Sequence, residues 1–478
     1  MSKKLAMGIG LAALTALILS RKSSKSQLDS EQYYRLRLTV DTSSDWANVT
    51  VISPSVIGGI EVSRSGDLTG VNYYTNPEKI AIGQLVADAQ AGKRVSLTYD
   101  FVFSSGLSTQ SLELLSKKGD YGDSHITLSE VTDQGELSLL IDDTYTLIPS
   151  PESTNPKTYS VPVTTWLHPP LIYSRTERVI PKTLACFYYA WYTEQNLSEP
   201  VFKDYPLING PSNDPAIIDY HMQKAAEAGI DVMISSWSGP DSHGNANLPE
   251  ILNAANRHGL KVTIYYESVS GGLQTQETIV DNLDYALTEY SSHPAFYHVN
   301  GKPFVAVYVA HANGPDQWKA IIAELLARGH DATYNGDCFG GTVVTNKRNI
   351  GVFDGAHIYG SFNIGDLNTF NQEAISMIKG AELLTGKRKI YAAPVCPGFD
   401  NELSNKNNGQ TTWTIVSREA GAYYQRLWES AIRANPDMIF ITSWNELWEH
   451  THIQPSVLYG DQYIQMTRHY VDKWKSTL

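Results

Sequence analysis

Cysteine is scarce: Cys186, Cys338 and Cys396 are the only three in 478 residues, and each stands in or beside an apolar run. That spacing excludes a disulfide framework and any Cys-rich zinc module and predicts buried thiols. Basic side chains are also in deficit. Thirty-seven Lys and Arg against 50 Asp and Glu leave a formal charge of −13, which works against nucleic acid or an anionic surface as partner. No glycine-rich, phosphate-cradling loop is found, and no basic cluster stands at the end of a predicted strand, which disfavours a diphosphate-bearing donor. Long hydrophobic runs are almost missing too. The exception is Leu5 to Ser20, after Lys3-Lys4 and before Arg21-Lys22 and a Ser/Lys-rich stretch. Residues 1–29 are therefore expected to be a signal peptide or membrane anchor with its linker, with residues 5–20 as the tether, and the protein to be extracytoplasmic, secreted or anchored at the cell surface.

What is present is a long chain with 42% hydrophobic residues, enough for a large core and too long for one ordinary domain. From about Tyr33 to Val163, short runs such as Tyr34 to Val40 and Val95 to Phe103 alternate polar and apolar residues between Gly, Ser, Asp and Asn turns. Period-two alternation predicts antiparallel sheet, and residues 30–165 are expected to form a β-sandwich-like domain. Pro149 to Pro170 is rich in Pro, Ser and Thr and reads as connecting chain, with residues 166–182 as the linker. Beyond it, short apolar strands alternate with helices of ten to fifteen residues, the rhythm of parallel βαβ units. Residues 183–478 are expected to be a (β/α)₈ barrel. The predicted strands are Leu184 to Tyr189, Val232 to Trp237, Lys261 to Glu267, Phe304 to Val309, Gly341 to Val344, Gly355 to Tyr359, Ile390 to Val395 and Met438 to Trp444. The predicted helices are Pro215 to Ala228, Leu248 to His258, Gln276 to Tyr290, Pro315 to Ala327 and Arg418 to Ala434.

The most informative stretch runs from Ile439 to Glu449, where a β-type run ends in Trp444-Asn445 and two carboxylates three residues apart, Glu446 and Glu449. A barrel strand carries its chemistry at its C-terminal tip. The other predicted tips hold related residues: Tyr189, Trp191 and Tyr192 after the first, Trp237 at the second, Tyr266 and Glu267 at the third. Tyr359 follows at the sixth and Asp400 after the seventh, while His450 and His452 follow the carboxylates. Aromatic faces suit the C–H faces of pyranose rings, and Asn, Asp, Glu and His hydrogen-bond hydroxyls, so the tips predict a carbohydrate groove.

The chain from about Thr183 onward resembles glycoside hydrolase family 99, the endo-acting α-mannosidases and α-mannanases. The resemblance rests on Phe187 to Tyr192, Ala228 to Asp231 with Ser236 to Pro240, Tyr265 to Glu267, Pro397 to Asn401, and Thr442 to Pro455. It implies an endo-acting, retaining hydrolase of α-linked, mannose-containing glycans that needs no cofactor or metal. It also implies Glu449 as general acid and then base, and Glu446 as the group assisting attack by the sugar's own 2-hydroxyl through an anhydro-sugar. That differs from the usual pairing, in which the second carboxylate is the nucleophile. Glu267 resembles the family's substrate-binding acid. Tyr189, Trp191, Tyr192, Trp237, Tyr266, Tyr359, Asp400, Trp444, Asn445 and His450 complete the expected substrate contacts. The chain departs from the family pattern where Leu447 replaces Trp, His450 replaces Gly, Gln454 replaces Glu and Ser238 replaces a second Trp. Two other readings stay open: a glycosyltransferase of polysaccharide assembly, and a catalytically silent glycan-binding surface protein.

Overall fold

The structure is a computed structural model that describes residues 31–51, 56–66, 71–76, 79–104, 111–131, 137–146, 157–162, 171–173, 178–198, 200–339 and 349–477. The expected signal or anchor segment, residues 1–29, lies outside the described residues. Among the described residues no helix is long and apolar enough to cross a membrane.

The first region is built from alternation. In Trp46–Val51 every second residue is buried, because successive strand side chains point to opposite faces. One antiparallel sheet runs in space Val56–Ser65, Val95–Ser104, Glu31–Thr42, Asp123–Val131, Leu137–Thr146, with Leu171–Tyr173 beside Glu31–Thr42. A second runs Lys157–Pro162, Ser111–Lys118, Trp46–Val51, Lys79–Gly83, Asn72–Asn76. Leu36, Leu38 and Ile126 from the first and Val49, Ile80 and Leu114 from the second share one hydrophobic cluster. The linker expectation is corrected here. Lys157–Pro162 pairs with Ser111–Lys118 and Leu171–Tyr173 with residues 31–33; the Thr-Tyr-Ser-Val and Leu-Ile-Tyr runs have strand-forming character that outweighs their Pro-rich surroundings.

The second region is a closed barrel of eight parallel strands: Thr183–Tyr188, Val232–Trp237, Lys261–Glu267, Lys302–Tyr308, Thr333–Asp337, Gly355–His357, Ile390–Val395 and Met438–Ile441. Each pairs with its successor, and the eighth returns to the first through Met438 opposite Thr183 and Ile441 opposite Cys186. The fifth strand corrects the sequence expectation. It is Thr333–Asp337, not Gly341 to Val344, which lies outside the described residues. Its sequence, Thr-Tyr-Asn-Gly-Asp, has little apolar β-branched character, so its strand state comes from pairing with its neighbours.

The helices are specified locally. Pro215–Glu227 begins with Pro at its first turn, Asp214 accepting from Ala216 N at 2.8 Å, and is followed by Gly229 at φ 79°, a left-handed position that favours glycine. His243–Arg257 and Gln276–Tyr290 are capped by Ser242 and Thr275. Helix Pro315–Ala327 meets the first region, with Lys319 Nζ donating to Val62 O at 3.0 Å. Leu367–Thr385, Ala422–Ala434 and Gln462–Ser476 complete the long helices around the barrel. All three cysteines are buried free thiols.

Candidate active site

Glu446 and Glu449 stand on the loop that leaves the eighth strand, at the barrel's C-terminal face. The loop is tied by its own backbone: Ser443 N donates to Thr451 O at 2.9 Å and Thr451 N to Glu446 O at 3.1 Å. Asn445 clamps it to the first strand, accepting from Tyr189 N at 2.8 Å and donating to Tyr189 O at 2.7 Å. The seam where the barrel closes therefore sets the position of both carboxylates.

Glu446 is 4% exposed. Its carboxylate accepts from Trp448 N at 2.9 Å, from Glu449 N, and from Tyr192 OH at 3.3 Å, while its own N–H donates to Ser443 Oγ at 2.8 Å. Glu449 is half-buried and accepts one hydrogen bond, from Tyr359 OH at 3.3 Å; Tyr359 OH in turn accepts from Tyr189 OH at 2.7 Å. Burial lifts Glu449 to about 7 and, together with the charge of Glu449, lifts Glu446 well above the usual range. Burial and the neighbouring charge both disfavour ionisation, so the pair resists carrying two charges near neutrality. The three donors on Glu446 work against that lift without cancelling it.

A third carboxylate faces the pair. Glu267, at the third strand's tip, accepts from Ser236 Oγ at 2.7 Å; burial and the Glu449 charge raise it to about 7. A fourth, Asp337, ends the fifth strand and is buried, with its charge felt by Tyr265 and Tyr308. Sequence reasoning missed it because its strand was misplaced; the signal available was an Asp closing a short run between two helix-length intervals.

The predicted aromatics divide. Tyr189, Tyr192 and Tyr359 point into the barrel mouth, among Phe187, Tyr265 and Phe440. Trp191 is 38% exposed with its ring 4.5 Å from that of Tyr189. The structure does not bring Trp237, Tyr266 and Trp444 to the groove. Trp237 is 1% exposed, donates to Asn245 Oδ1 at 2.9 Å and stacks on Tyr285. Tyr266 bonds Gln274 and Asn282. Trp444 lies edge-on to His221. These three belong to the layer between strands and helices: Trp237 and Tyr266 because their strand positions have the outward parity, Trp444 because it stands on the loop beyond the strand end at Ile441.

Asp400 flanks the loop: its N–H donates to Glu449 O at 2.8 Å, and its carboxylate lies 3.2 Å from Lys203, which also meets Glu402 at 2.6 Å. His450 is 9% exposed and sits behind the loop, its ring against His452 and Tyr459. Its φ of 52° is left-handed, where glycine is the undemanding residue. Burial keeps both imidazoles neutral, His450 down to about 2 and His452 to about 4. Among the described residues, one group of side chains is spaced for a metal ion: Asp204, His450 and His452.

Comparison with known proteins gives a consistent outcome. The chain is 29% identical over 303 residues to the glycoprotein endo-alpha-1,2-mannosidase-like protein of Danio rerio, a match over 56% of this chain and 65% of that protein. It is 28% identical over 294 residues to the glycoprotein endo-alpha-1,2-mannosidase of Mus musculus, over 55% and 62%. The match thus spans less than two thirds of the length of these relatives. A solved structure of the GH99 endo-alpha-mannosidase from Bacteroides thetaiotaomicron, in complex with bis-tris-propane, superposes with a TM-score of 0.53 at 25% identity and covers 62% of this chain and 98% of that one. The model of glycosyl hydrolase family 99 matches residues 202–475, which hold the second to eighth strands and the Glu446 to Glu449 loop. Matched over more than half of its length, the chain belongs to glycosyl hydrolase family 99.

Proposed function

We propose that this protein is an endo-acting, retaining glycoside hydrolase that cleaves α-linked, mannose-containing glycans, with Glu449 as general acid and base and Glu446 as the assisting base. The observation that carries the reading is the coupled pair on the eighth-strand loop: two carboxyls lifted by burial, which resist carrying two charges at once, with the donors gathered on Glu446. The names of the curated relatives support mannose in the substrate.

In the first step the Glu446 carboxylate takes the proton of the sugar's 2-hydroxyl as that oxygen forms a bond to C1. Glu449 gives its proton to the departing glycosidic oxygen, and the C1–O bond breaks. In the second, the Glu449 carboxylate takes a proton from water, whose oxygen attacks C1; the anhydro C1–O2 bond breaks and Glu446 returns the proton to O2. Two inversions at C1 give retention. Each step needs one carboxyl protonated and the other ionised, a state open to a pair that resists carrying two charges. Burial in the barrel mouth strengthens these proton transfers by excluding water. Glu267 is the acceptor for a sugar hydroxyl near the cleaved bond, Tyr189, Trp191, Tyr192 and Tyr359 line the groove, and Asp400 and Asn445 hold the loop. Residues 30–165 act as a β-sandwich-like module beside the catalytic barrel.

The test is hydrolysis of a panel of α-mannans and glucosylated α-mannosides by the parent and by Glu449→Gln. Release of di- or oligosaccharide by the parent alone supports the reading. Glycan binding by both with release by neither would replace it with a binding protein, and release only when an activated sugar donor is supplied would replace it with a transferase.

A further inference from the structure

We propose that Asp204, His450 and His452 bind a divalent first-row metal ion of the zinc class, which clips the catalytic loop to the segment that follows the first barrel strand. Each side chain offers one ligating atom, and the three atoms lie within 4.8 Å of one another. His452 Nε2 and Asp204 Oδ2 are already 3.1 Å apart. Three ligands at 2.0–2.1 Å around a tetrahedral ion stand about 3.3 Å from each other, so this edge has the required length and the His450 ring has to swing inward by no more than about 1.5 Å from the 4.8 Å limit.

Burial points the same way. Asp204 is 3% and His452 1% exposed, and His450 Nε2 has no hydrogen-bond partner among the described residues. A buried nitrogen without a partner is costly, and such groups recur where a ligand completes them. The ligands are also held from behind. Asp204 Oδ1 accepts from Tyr205 N at 2.8 Å and Leu458 N at 3.0 Å, which leaves Oδ2 facing the histidines. Arg418 Nη2 donates to the carbonyls of both His450 and His452 at 2.8 Å. Outer-shell bonds of this kind fix ligand direction.

Charge selects the ion. Arg418 and Lys203 both act on His450 as positive neighbours and oppose any cation, so an ion held mainly by charge is disfavoured. Two imidazoles and one carboxylate match zinc, cobalt or nickel, whereas calcium and magnesium require oxygen ligands. The ion's role is structural: it joins residue 204 to residues 450 and 452, immediately after Glu449, and no proton transfer passes through it.

The experiment uses the full, tag-free chain treated with chelator and dialysed, then titrated calorimetrically with ZnCl₂ and, separately, with CoCl₂ followed by visible absorption. One equivalent of Zn²⁺, a rise in Tm on its addition, and the intense visible bands of four-coordinate Co²⁺ are expected. His450→Gly removes one ligand and puts the best-tolerated residue at the left-handed backbone position, so the fold survives, and binding weakens at least tenfold. Asp204→Asn weakens it similarly. No binding by the parent, or binding unchanged in His450→Gly, overturns the proposal. Neither result bears on whether Glu446 and Glu449 cleave glycans.

Discussion

Tyr265 and Tyr266 are neighbours on one strand and live in different worlds. Tyr265 points into the barrel among Phe187, His357 and Tyr359, while Tyr266 points outward to Gln274, Asn282 and Trp237. The same division separates Tyr189 from Tyr188. Strand side chains alternate between faces, so an aromatic on a barrel strand faces the mouth or packs beneath a helix according to its parity. Composition is shared by both faces; only the inward one borders Glu446 and Glu449.

Substitutions on the two faces should therefore fail in different ways. The largest effect is expected at the inward carboxylate: Glu449→Gln lowers kcat by about 10²- to 10⁴-fold, checked by product release from the cleaved α-mannoside. On the outward face Trp237→Ala should cost about 3–5 kcal/mol of stability, measured by denaturant unfolding. If this variant folded as stably as the parent, the assignment of Trp237 to the outer core would be wrong.

The raised carboxyls also predict a pH dependence of stability. Glu449 rises from 4.5 to about 7 on folding, so the folded state holds its proton more tightly. Its contribution to stability is full below about 4.5 and is lost as pH rises through about 7. Glu449→Gln cannot lose that proton. It should unfold with the parent at pH 4 and be more stable at pH 8, by about 1–2 kcal/mol after solvent screening. A difference that is constant across this range would remove burial of Glu449 as its cause.

A smaller contrast isolates parity. Tyr359→Phe deletes the hydrogen bond to the Glu449 carboxylate, which favours the charged form, so the alkaline limb of kcat should move upward and the rate fall by about tenfold, a loss of order 1 kcal/mol. Tyr266→Phe should cost stability by about 1 kcal/mol and leave the pH profile unmoved. Smallest in stability is Trp191→Ala. At 38% exposure its removal should change unfolding by no more than about 0.5 kcal/mol while raising KM for oligosaccharides.

Legibility followed local signal strength. Val232–Trp237, Lys261–Glu267 and Ile390–Val395 occur with the boundaries their apolar runs predict. Helix Gln276–Tyr290 does as well, its Thr275 cap and apolar spacing agreeing. The fifth strand was unreadable because Asn335, Gly336 and Asp337 do not favour strands, and Asp337 was lost with it. Leu367–Thr385 went unread despite its Asp366 cap. At the site, the carboxylate pair was visible because two acids and two tryptophans crowd the end of one apolar run. The Asp204 to His452 contact was not, since 248 residues separate partners 3.1 Å apart.

By itself the sequence determined the kinds of element, the order that yields a parallel barrel, and the loop that holds Glu446 and Glu449. These depend on periodicity and composition within a few residues. Only the tertiary structure decided which aromatics line the mouth, that Tyr189 and Tyr359 form a hydrogen-bonded chain to Glu449, and that Glu267 shares the pair's electrostatics. Barrel closure sets these relations: it brings the eighth strand beside the first and excludes water from the acids between them. Burial and distance, which shift the carboxyls toward neutrality, exist only once that seam is shut.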